Sequence, residues 1–232
     1  MKTSSQIFAA CVIALGSTAL RAQTTPPLQN VAQLSANGAV EVQQDLLSIT
    51  LSTTREGSDA TLVQNQLKAA LDAALVEAKK SAQAGQMDVR TGNFSLYPRY
   101  NRDGKISGWQ GRTELVLEGR DFPRITATAG KISTLTLGNV GFALSREQRE
   151  RVEGEAQAQA IASFKAKAAE ISRSFGFSGY TLREVAINAN DQGPVRPRMM
   201  AMEAKAADSS PIPVEAGKST VLVNVSGSVQ MK

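Results

Sequence analysis

Three observations predict an α+β protein whose largely antiparallel sheet is built from ββα units with helices packed against it. Apolar residues alternate with polar ones in short runs, as at Leu47, Ile49 and Leu51 and again at Val221, Val223 and Val225, the period of a strand with one buried face. Between such runs the spacing lengthens to four, as at Val63, Leu67, Leu71 and Leu75, which marks one face of a helix. Paired strand signals separated by short polar turns point to antiparallel neighbours, since an all-parallel sheet would alternate strand and helix strictly.

Taken in order, a polar, proline-containing lead (Gln23 to Asn30) precedes a strand from Val31 to Val42, with Gly38 read as a bulge or bend. Gln43-Gln44-Asp45 interrupts it before the strand through Leu47, Ile49 and Leu51, and the two are expected to form a hairpin. A helix over 58–80 follows, capped by Ser58 or Asp59. Phe94, Leu96 and Tyr100 lie on one face of the next strand. Asn101-Arg102-Asp103-Gly104-Lys105 supplies a turn, and the return strand runs through Trp109, Thr113, Leu115 and Leu117. Asp121 or Pro123 opens a shorter helix to about Lys131, and Val140, Phe142 and Leu144 alternate as another strand.

Ser145-Arg146-Glu147-Gln148 fits a capping box. The long alanine-rich helix that it begins buries Ile161, Phe164, Ala168 and Ile171 and stops at Gly176. Strands at roughly Tyr180–Ile187 and Ser219–Gln230 end the series. The order is ββ-α-ββ-α-β-α-ββ, and the first two ββα units can be read as a weak internal duplication. Between the last two strands, about 188–218, lies a long stretch with four of the eight prolines and three of the six methionines. A loop of that length in a compact domain is either flexible or functional.

Composition narrows the chemistry. The 232 residues contain no histidine and one cysteine, so a Ser-His triad, a Cys-His pair and imidazole metal ligation are unavailable. Met1-Lys2, the apolar run Ile7 to Gly16 and the small residues that follow describe a secretory signal peptide over residues 1–22, with cleavage after Ala19 or Ala22. Cleavage removes Cys11 and leaves a domain, 23–232, without a thiol. Loss of Lys2 and Arg21 takes the 26 basic residues to 24 against 21 acidic, a net charge of +3. That is too weak a basic balance for nucleic-acid binding. No later segment is apolar for the roughly 20 residues a membrane helix requires.

Two clusters are binding candidates. Tyr97, Arg99 and Trp109 combine rings with a guanidinium near one hairpin, the composition of binding surfaces. The competing reading is cross-strand packing. Tyr97 and Arg99, on the strand face opposite Phe94 and Leu96, are the better candidates. Met199, Met200 and Met202 offer soft thioethers suited to Cu(I) or to reversible oxidation. Three thioethers in four residues define no coordination geometry, and an adaptable docking patch is the competing reading. No catalytic constellation, metal set or cofactor motif emerges. Glu147, Glu150, Glu153 and Glu155 lie among arginines at a helix start, away from the burial that raises a catalytic carboxyl's pKa.

Four segments in order resemble one known family. They are Ala36-Asn37-Gly38-Ala39-Val40-Glu41-Val42 with Asp45; Phe94-Ser95-Leu96-Tyr97-Pro98-Arg99-Tyr100; Gly108-Trp109; and Ile212-Pro213-Val214-Glu215-Ala216-Gly217 before a valine-alternating strand. Together they resemble the SIMPL-domain family, which includes the periplasmic immunogenic protein and YggE-like oxidative-stress proteins. Gln44-Asp45 stands where Pro-Asp is common there, and Trp109 where tyrosine is common. The resemblance implies an exported α+β protein, with homo-oligomers in some members of the family and a link to oxidative or envelope stress in others. With the bare catalytic inventory, the expectation is a non-enzymatic periplasmic protein, free or held at the outer membrane, that self-assembles and contributes to oxidative or envelope stress tolerance. The resemblance supplies no reaction, no cofactor and no small-molecule ligand. The alternative is a binding or scavenging module that meets oxidants or soft metals through the methionine-rich loop.

Overall fold

The computed structural model describes residues 29–190 and 213–232. The expected signal peptide and the candidates Met199, Met200 and Met202 lie outside the described residues. The elements are β1 (Val31–Gln43), β2 (Leu46–Gly57), α1 (Ala60–Lys79), β3 (Asp88–Tyr100), β4 (Ile106–Gly119), α2 (Phe122–Lys131), β5 (Thr136–Ala143), α3 (Arg146–Ser174), β6 (Tyr180–Asn190) and β7 (Lys218–Met231). Their order is the one read from hydrophobic spacing.

The strands form two antiparallel sheets. A four-stranded sheet has the order β3-β4-β2-β5 and a three-stranded sheet the order β1-β7-β6. The run β2-α1-β3-β4-α2-β5 is a split βαβ arrangement of the ferredoxin-like kind. Its core joins Leu47, Ile49 and Leu51 of β2 and Leu115 and Leu117 of β4 to the apolar stripes of α1 and α2. The second core joins Leu34, Val223, Val225 and Val229 to Ala156, Ala160, Phe164 and Ala168 of α3.

The expected β1–β2 hairpin does not form. β1 lies along the whole of β7, from Val31 opposite Gln230 to Gln43 opposite Lys218. β2 lies between β4 and β5. A two-residue hairpin turn needs residues at positive φ, and neither Gln44 nor Asp45 adopts it. The chain instead passes from one sheet to the other at this pair, so the first two ββα units are not duplicates. The β3–β4 hairpin forms as expected, closed by Asn101 N–H donating to Lys105 O at 2.8 Å and by Gly104 at φ +74°.

Gly38 is neither a bulge nor a bend, for its pairing with Val223 is in regular register. A Cβ there would sit 2.0 Å from Ala156 O and 2.7 Å from Ala160 N. The glycine lets the backbone of α3 rest on the backbone of β1, which is the other use of a strand glycine.

Each helix starts on a side-chain cap. Asp59, Asp121 and Ser145 accept from the N–H groups of Leu62 (2.7 Å), Arg124 (3.0 Å) and Gln148 (3.2 Å). Gly176 at φ +82° follows the end of α3.

The width of α3 explains the most unusual surface. Strands lie about 4.8 Å apart and a helix with its side chains is about 10 Å across. One helix therefore covers two strands, and here these are β1 and β7. It meets β6 at Tyr180, whose hydroxyl donates to Lys165 O at 3.4 Å. Leu182 and Ile187 are opposite the buried Val229 and Val225, yet they are 52% and 44% exposed.

Candidate functional site

Three places can carry function: the β3–β4 hairpin, the joint between the sheets and the open edge of β6.

On the hairpin, Tyr97 is opposite Gln110 and Arg99 is opposite Gly108. Both face away from α1, because the alternate positions Gly111 and Thr113 face it: Thr113 is buried and a Cβ at Gly111 would touch Leu67. Trp109 shares the parity of Gly111 and Thr113, and it is opposite Pro98 and Gly57. The structure thus brings Tyr97 and Arg99 to one face and puts Trp109 on the other. Arg99 pairs with Glu56, whose second oxygen accepts from Gln110 Nε2 at 2.8 Å. Tyr97 beside that triad is 64% exposed.

The joint is a feature that sequence reading missed. Asp45 Oδ1 accepts from Ser145 N at 2.7 Å, and Asp45 Oδ2 accepts from Ser145 Oγ at 2.6 Å. Arg120 donates to Ser145 Oγ at 3.0 Å and to Glu147 at 2.6 Å, with its Nε 3.7 Å from Asp45 Oδ2. Gln44 N–H donates to Gly217 O at 3.0 Å, and Gln44 Nε2 donates to Phe142 O at 3.3 Å and Ser219 Oγ at 3.0 Å. One dipeptide thereby ties β1, β5, the start of α3 and the entry to β7. The Ser145 hydroxyl also caps α3, so its bonds to Asp45, Arg120 and Gln148 make this joint a latch between the two sheets. The sequence contained its parts, Asp45 and the Ser145 cap, but no signal that they meet.

Beside β6, on the sheet face away from α3, lies a shallow open depression of about 250 Å³ lined by Gln33, Glu184, Ser226 and Ser228. Among the described residues, no group of three Cys, Asp or Glu side chains is placed to hold a metal ion. No described helix is long and apolar enough to cross a membrane.

The shifted ionisable groups lie far from neutrality. The hydrogen bond from Lys80 lowers the Glu77 pKa from its ordinary 4.5, and the Arg124 N–H bond lowers that of Asp121 from 3.8. The hydrogen bond to Glu41 raises the Lys218 pKa from 10.5. Arg120, hydrogen-bonded to Glu147, and Arg146, hydrogen-bonded to Glu150, are raised likewise. A lowered carboxyl stabilises the fold above its unfolded pKa and loses that contribution as pH falls through the folded value. A raised lysine stabilises below its unfolded pKa and loses the contribution as pH rises through the folded one. Stability is therefore expected to be flat from about pH 5.5 to 9. Thermal melts across that range check this, and a transition near pH 6–7 would contradict it.

With this geometry in place, the chain matches the family described as SIMPL, protein of unknown function (DUF541), over residues 32–229. The chain belongs to the SIMPL family. Among the described residues the match covers both sheets and the three helices, so the two-sheet unit latched at Asp45 is the SIMPL domain of this chain. No curated protein matches this SIMPL chain. Among solved structures, it is similar to AtUAH in complex with (S)-hydroxyglycine at 15% identity and a TM-score of 0.26, covering 57% of this chain and 34% of that one. AtUAH in complex with glyoxylate gives 14% identity and a TM-score of 0.25, again over 57% and 34%. The chain thus spans about a third of those proteins, and likenesses at this level carry no argument.

Proposed function

We propose that this SIMPL protein is exported to the periplasm, acts without catalysis, and self-assembles to contribute to oxidative or envelope stress tolerance. The observation that carries the assembly part is β6. It is an edge strand of eleven residues, exposing Leu182, Val185 and Ile187 on the face that its own sheet buries elsewhere. Such an edge offers unpaired N–H and C=O groups beside apolar side chains, which is a template for another chain. The N-terminal pattern supports export. The resemblance to YggE-like proteins supports the stress role.

The test is the native mass of protein purified from the periplasmic fraction, measured by light scattering on a sizing column. An assembly larger than a dimer is expected, and a monodisperse monomer at micromolar concentration would overturn the assembly part. A deletion strain should survive peroxide or envelope stress less well than its complemented counterpart. Equal survival would remove the stress role.

A further inference from the structure

We infer that β6 pairs with β6 of a second copy, antiparallel about a two-fold axis between Arg183 and Glu184. This rests on the self-assembly proposed above and names the surface that performs it. The pairing of β6 with β7 is regular except for a bulge between Leu182 and Glu184. Tyr180, Leu182, Val185 and Ile187 are opposite Met231, Val229, Gly227 and Val225, so all four lie on the face that α3 covers over β7. Their spacing of two, three and two reads the same in both directions.

That symmetry selects a register. Antiparallel pairing about the point between Arg183 and Glu184 puts Tyr180 opposite the partner's Ile187 and Leu182 opposite the partner's Val185, on the same face throughout. In a strand without a bulge, neighbouring residues point to opposite faces, and a two-fold between them would set apolar against polar. The extra residue removes that conflict. Registers centred on Val185 or Ala186 instead mismatch the faces on one side of the bulge.

The charges agree with the apolar pattern. Glu184 is opposite Ser228 on the sheet face away from α3. Arg183 donates to Gln230 at 3.3 Å, and Gln230 is opposite Thr181, which alternates away from Leu182. The two-fold sets Arg183 opposite the partner's Glu184 and Glu184 opposite the partner's Arg183, two reciprocal attractions at the centre of the contact. A bulge and charges on an edge strand ordinarily discourage pairing. Here they discourage other strands while complementing a second copy, which identifies the occupant. The product is a continuous six-stranded sheet, β1-β7-β6 joined to its rotated image, with both α3 helices on one face.

Four proteins from the periplasmic fraction test this: the wild type, R183E, the charge swap R183E/E184R and V185K. All three positions are exposed, so circular dichroism should show all four proteins folded. Reversing one charge turns two symmetric attractions into two repulsions. The dissociation midpoint in a dilution series should therefore rise about tenfold, a change of about 1.4 kcal/mol. The swap should restore it to within about threefold. V185K, which carries an ammonium into the apolar row, should weaken assembly at least as much as R183E. If the wild type assembles and R183E and V185K assemble equally well, β6 is not the contact although self-assembly stands. Equal weakening by R183E and by the swap would overturn the two-fold register. A wild type that stays monomeric would instead remove the self-assembly reading itself.

Discussion

Replacing Gly38 with alanine is expected to destabilise the protein by about 3 kcal/mol, at the upper end of ordinary overpacking. The added methyl would meet Ala156 O at 2.0 Å, Ala160 N at 2.7 Å and Ala156 C at 3.0 Å, all of them main-chain atoms. No rotamer change relieves that contact, because the obstruction is the helix backbone. Either α3 lifts from β1, withdrawing Ala156, Ala160 and Phe164 from their core, or β1 slides against β7. Urea unfolding of the purified protein measures the loss. Gly154→Ala is the control, since it lies in the same helix with nothing within 4 Å of its added methyl. It should stabilise by up to about 1 kcal/mol through helix propensity. A Gly38→Ala variant within about 0.5 kcal/mol of wild type would show that α3 does not rest on this strand.

The second large effect is expected at the latch. Asp45→Ala removes the acceptor of both the Ser145 N–H and its hydroxyl, and Ser145 is 5% exposed. A buried donor left without its charged acceptor costs about 1.5–3 kcal/mol, so a loss of about 3 kcal/mol is expected for two bonds. Ser145→Ala should cost less, about 1–2 kcal/mol, as the loss of a helix cap and of the hydroxyl's bonds with Asp45 and Arg120, since the Asp45 carboxylate keeps the backbone N–H at 145. If the two residues act through each other, the double variant will lose clearly less than the sum. Strict additivity in denaturant melts would refute the coupling.

Hydrophobic period placed the strands and the long helices of the described chain, because the strands each bury one face and the helices one stripe, while α2 was marked by its start signals at Asp121 and Pro123. The α+β class and the β3–β4 turn, with its Asp103-Gly104 step, were legible for the same local reason. Strand partnership was not. Nothing around Gln44-Asp45 distinguishes a hairpin turn from a passage between sheets, except the absence of a residue suited to positive φ, and that is a weak signal beside two adjacent strand patterns. Gly38 was visible as an exception within a strand. What it accommodates, the backbone of Ala156 more than a hundred residues away, is written in no local pattern. At the hairpin, alternation correctly separated Tyr97 and Arg99 from Phe94 and Leu96. It could also have separated them from Trp109, had the register across the turn been carried through. The exposed face of β6 was hidden because Leu182, Val185 and Ile187 look like ordinary core residues. Only the geometric shortfall of one helix over three strands leaves them uncovered.

The passage of the chain at Gln44-Asp45 also sets an order of events during folding. The four-stranded sheet draws all its strands from residues 46–143, a continuous stretch closed by local crossovers and one tight hairpin. The three-stranded sheet joins Val31–Gln43 to Lys218–Met231, the first and last described strands. Its loop-closure entropy is that of nearly the whole chain, and contacts of such sequence separation form late. The central unit can therefore close while β1 waits unpaired, and the second sheet is completed only when the final strand arrives to lie between β1 and β6.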